Sequence, residues 1–305
     1  MVSPTLSSAL GRCLVTGVLG FTGRHLEREL RRAGYEVFGL ASAAGGAVLP
    51  DHVLPADLTD PQAVRDVVKE VSPDVVIHLA AIAFVAHGDV DAVYRTNIVG
   101  TRNLLQALSD SDHAPRSVLL ASSANIYGNV RSEAIEEDTP PMPENDYAVS
   151  KLAMEHMSRL WRSTLPITVV RPFNYTGVGQ SLSYLIPKIV DHFRRGAREI
   201  ELGNLDVARD FSDVRNVVTA YRRLIENPLP GQVFNICSGQ SHTLGDIVCM
   251  LQDIAGYKIE VKVNPAFVRA NEVKRLSGSN ARLKAAVGEF PAISLVDTLT
   301  WMYTA

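Results

Sequence analysis

Residues 13–16, Cys-Leu-Val-Thr, form a short apolar run that leads directly into Gly17-Val18-Leu19-Gly20-Phe21-Thr22-Gly23. An apolar strand, a turn with glycine at every third position and a helix that follows at once leave few folds open to the chain. Gly17 permits a tight turn, Gly20 lets the backbone approach a pyrophosphate, and Gly23 allows a helix to pack closely on a strand. The amino end of a helix favours negative charge. Gly17, Leu19, Gly20, Phe21, Thr22 and Gly23 are therefore the expected seat of a dinucleotide.

Strand-like and helical patterns alternate from there. Strands are expected at 36–40, 75–79, 117–121 and 167–171, with a short one before Asp57. Helices are expected at 23–33, 61–71, 96–108 and 147–161, the first ended by Gly34 and the last capped by Asn145 or Asp146. This order implies an α/β fold, a Rossmann-type doubly wound parallel sheet with helices on both faces. After Arg171 proline, glycine and charge become more frequent, and a strand at 233–236 and a helix at 244–255 follow. Residues 10–173 read as the dinucleotide-binding domain, with segments near 205–240 returning to it. Residues 174–305 read mainly as a smaller, discontinuous substrate-binding lobe. Loops are expected at 41–49 and at the acidic, proline-rich 132–145.

Hydrophobic residues make up 46% of the 305, enough for a sizeable core. The net charge of −3 offers no basic stripe, so no nucleic-acid partner is expected. Three widely spaced cysteines, Cys13, Cys237 and Cys249, give neither a disulfide framework nor a metal pattern. The first ten residues do not resemble a secretory leader, and no run approaches the ~20 apolar residues of a membrane span. A cytoplasmic protein with no membrane partner is expected.

Tyr147 and Lys151 stand four apart in Asp146-Tyr147-Ala148-Val149-Ser150-Lys151, on one face of a helix. An ammonium beside a phenol favours the phenolate, bringing a group of ordinary pKa ~10 toward proton exchange near neutral pH. Ser122-Ser123 ends an apolar strand upstream, and the Ser123 hydroxyl can bond the same substrate oxygen. With a dinucleotide turn in the same chain, this set suits hydride transfer between an alcohol and a carbonyl. Where an acid would hold the ribose diol of NAD, the second strand ends in Ala41-Ser42. A 2′-phosphate is then not repelled, with Arg12 and Arg24 as the available cations, so NADP(H) is slightly favoured over NAD(H). Asp57 and Leu58 are assigned to the adenine edge. Leu79, Ala80 and Ala81 are small enough to let the backbone pass beneath the cofactor, with Asn97 nearby and His78 structural.

Taken in order, several stretches resemble the extended short-chain dehydrogenase/reductase family, the NAD-dependent epimerases and dehydratases that act on nucleotide sugars. They are Thr16-Gly17-x-x-Gly20-Phe21-x-Gly23, His78-Leu79-Ala80-Ala81, Ser122-Ser123-Ala124-Asn125-Ile126-Tyr127-Gly128, Tyr147-x-x-x-Lys151, Arg171-Pro172-Phe173-Asn174 and Arg209-Asp210-Phe211-x-Asp213-Val214. The resemblance covers nearly the whole chain. It implies that Ser123, Tyr147 and Lys151 are catalytic, that Tyr147 and Lys151 also touch the cofactor, and that Ser122 and Pro172 border it. It further implies that Phe84, Ser123, Ala124, Asn125, Asn174, Lys188, Arg209, Arg269 and Glu272 face a nucleotide diphosphate sugar. Arg269-Ala270-Asn271-Glu272-Val273 is similar to a segment of the branch that processes GDP-mannose derivatives, which implies a GDP-linked substrate.

A 4,6-dehydratase needs an acid/base carboxylate soon after the catalytic Ser or Thr, and here Ala124 and Asn125 stand in those positions. Dehydration is therefore disfavoured, and the resemblance implies NAD(P)H-dependent reduction of the C4 keto group of a 4-keto-6-deoxyhexose, GDP-4-keto-6-deoxy-D-mannose to GDP-D-rhamnose. A nucleotide-sugar 4-epimerase with tightly bound NAD is the alternative, and a non-catalytic NADP(H)-binding regulator the remote one. The family also implies a homodimer formed by the helices near 96–108 and 147–161. Leu104, Leu105, Leu108, Leu152 and Met157 serve either that interface or the core.

Overall fold

The computed structural model describes residues 10–42, 48–83, 89–130, 134–267 and 275–305. Phe84, Arg269 and Glu272 lie outside the described residues. The chain divides into two compact units, the first made of Met1–Ile126, Pro143–Val170 and Val218–Val233, the second of Tyr127–Met142, Arg171–Val217 and Phe234–Ala305.

The first part of the chain builds β1 (Arg12–Thr16), α1 (Phe21–Ala33), β2 (Glu36–Ala41), β3 (Val53–Pro55), α2 (Pro61–Val71) and β4 (Val75–His78). It continues with α3 (Val90–Tyr94), α4 (Thr101–Ser109), β5 (Ser117–Ala121), α5 (Asp146–Ser158) and β6 (Ile167–Pro172). The strands stand in the order β6-β5-β4-β1-β2-β3, and Val233–Ile236 adds a seventh beyond β6. Every pairing from β6 to β3 is parallel. The fold is thus the expected Rossmann-like α/β arrangement, with its order reversing beside β1, where such sheets bind ligands.

Local chemistry accounts for these elements. Every residue of β4 and β5 is buried, as in strands of a parallel sheet covered on both faces. Leu14, Val76, Leu120 and Met154 belong to the core of this unit. So do Leu104, Leu105 and Leu108, which makes them core residues, whereas Met157 is only partly buried. Asp60 caps α2 by accepting from the backbone N–H groups of Gln62 and Ala63, with Pro61 in the first turn. Asn145, not Asp146, caps α5, its side chain accepting from Ala148 N at 2.9 Å.

Two expected helices are less regular than their apolar spacing suggests. The one expected at 96–108 is a π-helical turn over Arg95–Gly100 and then α4, with α3 directly before them. A π turn inserts one residue into a helix, which a short apolar pattern does not reveal. The one expected at 147–161 is α5 followed by a 3₁₀ turn, Arg159–Trp161.

The rest of the chain supplies β7 (Asn174–Thr176), α6 (Leu185–Arg194), β8 (Glu199–Leu202), β9 (Ala208–Asp213), α7 (Val214–Glu226) and β10 (Val233–Ile236). After these come β11 (Ser241–Thr243), α8 (Leu244–Ala255), β12 (Glu260–Val263), β13 (Arg275–Leu276), α9 (Ala281–Val287) and α10 (Leu295–Thr304). Within the second unit β9 pairs with β7, β11 and β13, and β8 pairs in parallel with β12. Ile189 and Phe193 of α6, Leu251 of α8 and Leu299 of α10 share its apolar core. Thr243 and Asp246 close a reciprocal cap at the start of α8.

The α2 cap gives a simple check on the fold. Asp60→Ala leaves two N–H groups of the first turn without their acceptor, so it should lower the unfolding free energy by about 1 kcal/mol in urea titration at unchanged slope. A midpoint equal to that of the unaltered protein would contradict this account of the cap.

Candidate active site

In the first unit, β1 ends at Thr16 and the chain turns at Gly17, whose φ of 70° lies in the left-handed region. A Cβ on Gly17 would come within 2.9 Å of Ala80 N, and one on Gly23 within 2.3 Å of Gly17 O. The turn, the end of β4 and the first turn of α1 therefore pack with no room for side chains at these two positions. Gly20 heads α1 without a side-chain cap, and no acidic residue stands in the first helical turn. The positive end of the helix suits an anionic ligand.

The other residues assigned to a cofactor take the following places. Leu19 is partly exposed and its carbonyl accepts from Arg24 Nε at 2.9 Å. Phe21 stands edge-on to His25, and Thr22 is in the first turn of α1. Ala41 ends β2 and Ser42 beyond it is exposed, with no carboxylate between them. Arg12 begins β1, at the opposite end of that strand from the turn, whereas Arg24 belongs to α1. Asp57 is exposed and accepts from Thr59 N and Thr59 Oγ1, both at 2.8 Å, while the Leu58 side chain is in the core. Leu79 N donates to Thr16 O, Ala80 N donates to Thr16 Oγ1, and Ala81 is half-buried.

α5 carries the phenol and the amine. Lys151 is 2% exposed, its Nζ donates to Ala121 O at 2.7 Å, and it lies 6.0 Å from the centre of the Tyr147 ring. Burial lowers the Lys151 pKa to about 8, and Glu155, one turn further on, acts in the opposite direction. Ala121 is the last residue of β5, so the amine is tied to the strand that delivers Ser122 and Ser123. Ser123 Oγ is buried and accepts from Asn125 N at 3.1 Å, at the start of the 3₁₀ turn Ala124–Tyr127. Ala124 is buried and Asn125 exposed. The structure thus places Ser123, Tyr147 and Lys151 around the end of β5 and the head of α5.

Ser122 Oγ is buried and has no hydrogen-bond partner among the described residues. An unpartnered buried hydroxyl costs free energy that a polar ligand beside it offsets. Together with the glycine turn and the open helix end, it fits a dinucleotide along the carboxyl ends of the strands.

Asn97 sits in the π turn with its side chain fully buried. Its Oδ1 accepts from Ile82 N at 2.9 Å, and its Nδ2 donates to Ile82 O at 3.2 Å and to Ser150 Oγ at 2.9 Å. His78 is also fully buried, 2.7 Å from Thr16 Oγ1 and 2.8 Å from Thr101 Oγ1. Burial, and secondly the Lys151 charge, hold its pKa at about 3, so the ring is neutral. Thr16, Thr101 and Ser150 have no role assigned from sequence, although Thr16 opens the glycine motif and Ser150 lies between Tyr147 and Lys151.

In the second unit, Pro172 is half-buried at the end of β6, and Asn174 is exposed at the start of β7, its Nδ2 3.4 Å from Asp210 O. Arg209 lies on β9 opposite His242 and Leu276, its Nη1 donating to Ala208 O at 2.8 Å. The adjoining Asp210 is fully buried and accepts from Ser238 N, Ser238 Oγ and Gly239 N. Its burial raises the carboxyl pKa and these donors oppose the rise, so it serves as a packed anchor for the strand. Lys188 is on α6, its Nζ 5.1 Å from the Phe267 ring centre, and both line a cavity of about 350 Å³ with His192, Glu201 and Lys262.

The signature of the NAD dependent epimerase/dehydratase family matches residues 13–237. A GDP-6-deoxy-D-talose 4-dehydrogenase from Aggregatibacter actinomycetemcomitans is 37% identical over 278 residues, 91% of each chain. A GDP-6-deoxy-D-mannose reductase from Pseudomonas aeruginosa is 38% identical over 300 residues, 94% of each chain. The structure of RMD from Pseudomonas aeruginosa complexed with NADPH superposes with a TM-score of 0.85 at 36% identity, covering 96% of this chain and 98% of that one. UDP-glucose 4-epimerases are more distant, one from Halalkalibacterium halodurans at 26% identity over 94% of this chain and 92% of its own. The chain belongs to the NAD dependent epimerase/dehydratase family, the extended short-chain dehydrogenases/reductases. It is an NAD(P)-dependent oxidoreductase.

The buried amine has a measurable consequence. Its folded pKa of about 8 lies below the ordinary 10.5, so between those values the unfolded chain holds the extra proton. Stability then rises with pH across that window, and the cost of the buried charge is fully present below it. Lys151→Met should be more stable than the unaltered protein at pH 7, by as much as about 3 kcal/mol, and the gap should narrow toward pH 10.5. Urea unfolding at pH 7 and pH 10 reads it, and a gap independent of pH would refute the electrostatic account.

Proposed function

We propose that this protein reduces the C4 keto group of a GDP-linked 4-keto-6-deoxyhexose, GDP-4-keto-6-deoxy-D-mannose to GDP-D-rhamnose, with NADPH. The observation that carries the proposal is the Lys151 amine held near Tyr147 on Ala121 O, at the end of the strand that leads to Ser123, with Ala124 and Asn125 offering no carboxylate for dehydration. The two GDP-sugar relatives at 37% and 38% identity support both the reaction class and the base. For the cofactor, support comes from the Ala41-Ser42 end of β2, which carries no repelling acid, and from the NADPH held by the RMD structure.

The glycine turn and Ser122 would hold the dinucleotide, which when bound supplies the hydride for C4. Tyr147 donates its phenolic proton to the carbonyl oxygen, and the Lys151 ammonium stabilises the phenolate left behind. Ser123 Oγ hydrogen-bonds the same oxygen, favouring it as negative charge develops. Asn174, Lys188 and Arg209 bind the nucleotide diphosphate, and that remote binding positions the ketone. Arg269 and Glu272 are assigned the same task by resemblance. The protein acts as a homodimer in this reading, and light scattering checks that directly.

Purified protein mixed with NADPH and GDP-4-keto-6-deoxy-D-mannose should lose absorbance at the nicotinamide band in proportion to sugar reduced. Chromatography then distinguishes GDP-6-deoxy-D-mannose from its C4 epimer, GDP-6-deoxy-D-talose. An epimerase would instead retain tightly bound NAD and consume no NADPH. Tyr147→Phe should lower kcat by about 10²–10⁴ while NADPH affinity is kept. Near-normal turnover in that variant would remove Tyr147 from the proposed role.

A further inference from the structure

Four side chains in the first unit, Thr16, His78, Asn97 and Thr101, have no exposure to solvent. Ala80 N donates to Thr16 Oγ1 at 3.1 Å, and Thr16 Oγ1 lies 2.7 Å from His78 Nδ1. His78 Nε2 lies 2.8 Å from Thr101 Oγ1, which donates to Asn97 O at 2.8 Å. From Asn97 the side-chain amide reaches Ser150 Oγ, which donates to Tyr147 O at 2.8 Å.

The protons in this chain can be placed. A hydroxyl has one proton to give. Thr101 gives its proton to the Asn97 carbonyl, so it accepts from His78, and His78 Nε2 carries hydrogen. A neutral imidazole has one N–H, so Nδ1 is the acceptor and takes the Thr16 hydroxyl proton. Thr16 in turn uses a lone pair for Ala80 N–H. If the ring were cationic, Nδ1 would also donate, and the Thr16 hydroxyl proton would lose its acceptor in a site closed to water.

We propose that His78, as the neutral Nε2–H tautomer, is a positioning residue that couples the cofactor turn to the catalytic helix, with Thr101 as the joint between the two. At one end the ring fixes Thr16 and through it the Ala80 backbone that meets Gly17. At the other, Thr101 fixes the π turn that holds Asn97, and Asn97 with Ser150 fixes the backbone carbonyl of Tyr147. Burial and, secondly, the Lys151 charge disfavour a second proton on the ring. The coupling to turnover rests on the roles proposed above for Tyr147 and Lys151.

Nitrogen-15 NMR of histidine-labelled protein tests the tautomer. His78 should show hydrogen on Nε2 and no titration between pH 6 and 9. Hydrogen on Nδ1, or a ring that titrates in that range, overturns the proposal. Thr101→Val keeps the shape and removes both hydroxyl bonds. It should weaken NADPH binding and lower kcat at saturating NADPH, each by about tenfold, the effect of about one lost hydrogen bond. Thr101→Ser, which keeps the hydroxyl, should stay within about twofold of the unaltered protein. A purely packing role predicts the reverse ranking, with Val harmless and Ser the poorer, and that result also overturns the proposal. If the Val variant does not fold, the tautomer in the unaltered protein and the Ser variant decide. The NMR and NADPH-binding measurements need no sugar, so a mistaken substrate assignment would leave them intact and show itself as absent turnover with a normal His78.

Discussion

A lysine amine removed from water and tied to a backbone carbonyl organises the first unit. Lys151 Nζ spends one hydrogen on Ala121 O, which fixes α5 on the end of β5 and sets the phenol of Tyr147 beside a cation. A buried ammonium is unfavourable by itself, and its lowered pKa reports that cost. Proteins that keep such a group do so at functional sites, where stability yields to chemistry. The parallel sheet makes the placement possible, because its strands end together on the edge where β1 enters the glycine turn and β5 delivers Ser123.

The cofactor side of the site depends on absence of bulk. Gly17 and Gly23 leave no space for a Cβ, so β1, α1 and the Ala80 backbone come into contact without intervening side chains. The head of α1 has no side-chain cap at Gly20 and no acid in its first turn, which suits an anionic ligand. The unpartnered Ser122 hydroxyl points the same way. These features favour an anionic, polar group at the carboxyl ends of the strands.

The second unit has its own buried polar centre. Arg171 Nη1 donates to Tyr127 Oη at 2.9 Å and to Glu137 O at 2.8 Å, and Tyr127 Oη donates to Asn235 Oδ1 at 2.8 Å. Glu137 Oε1 accepts from Asn235 N at 2.8 Å, so an acid, a base and an amide satisfy one another away from water. Tyr127 follows Ser123 by one turn of chain, which gives the Arg171-Pro172-Phe173-Asn174 and Ile126-Tyr127-Gly128 motifs a shared structural reason. A satisfied network of this kind is rigid, since releasing any member leaves another unpaired.

Much of this protein was legible in one dimension because the signals are local. Glycine spacing after an apolar run, alternating strand and helix patterns, and Tyr147 one helical turn before Lys151 each lie within a few neighbouring residues. They sufficed for the fold class, for the family and for the candidate triad of Ser123, Tyr147 and Lys151. What only the tertiary structure decided involves residues distant in sequence: Thr16 and His78 are 62 apart, His78 and Thr101 are 23 apart, and Lys151 meets a carbonyl 30 residues away. The π turn at Asn97, the core placement of Leu104, Leu105 and Leu108, and the seat of the His78 ring between two threonine hydroxyls all belong to that second group. Periodicity records which face of an element is apolar. The partner of a buried polar atom is set only when separate elements pack and water is excluded.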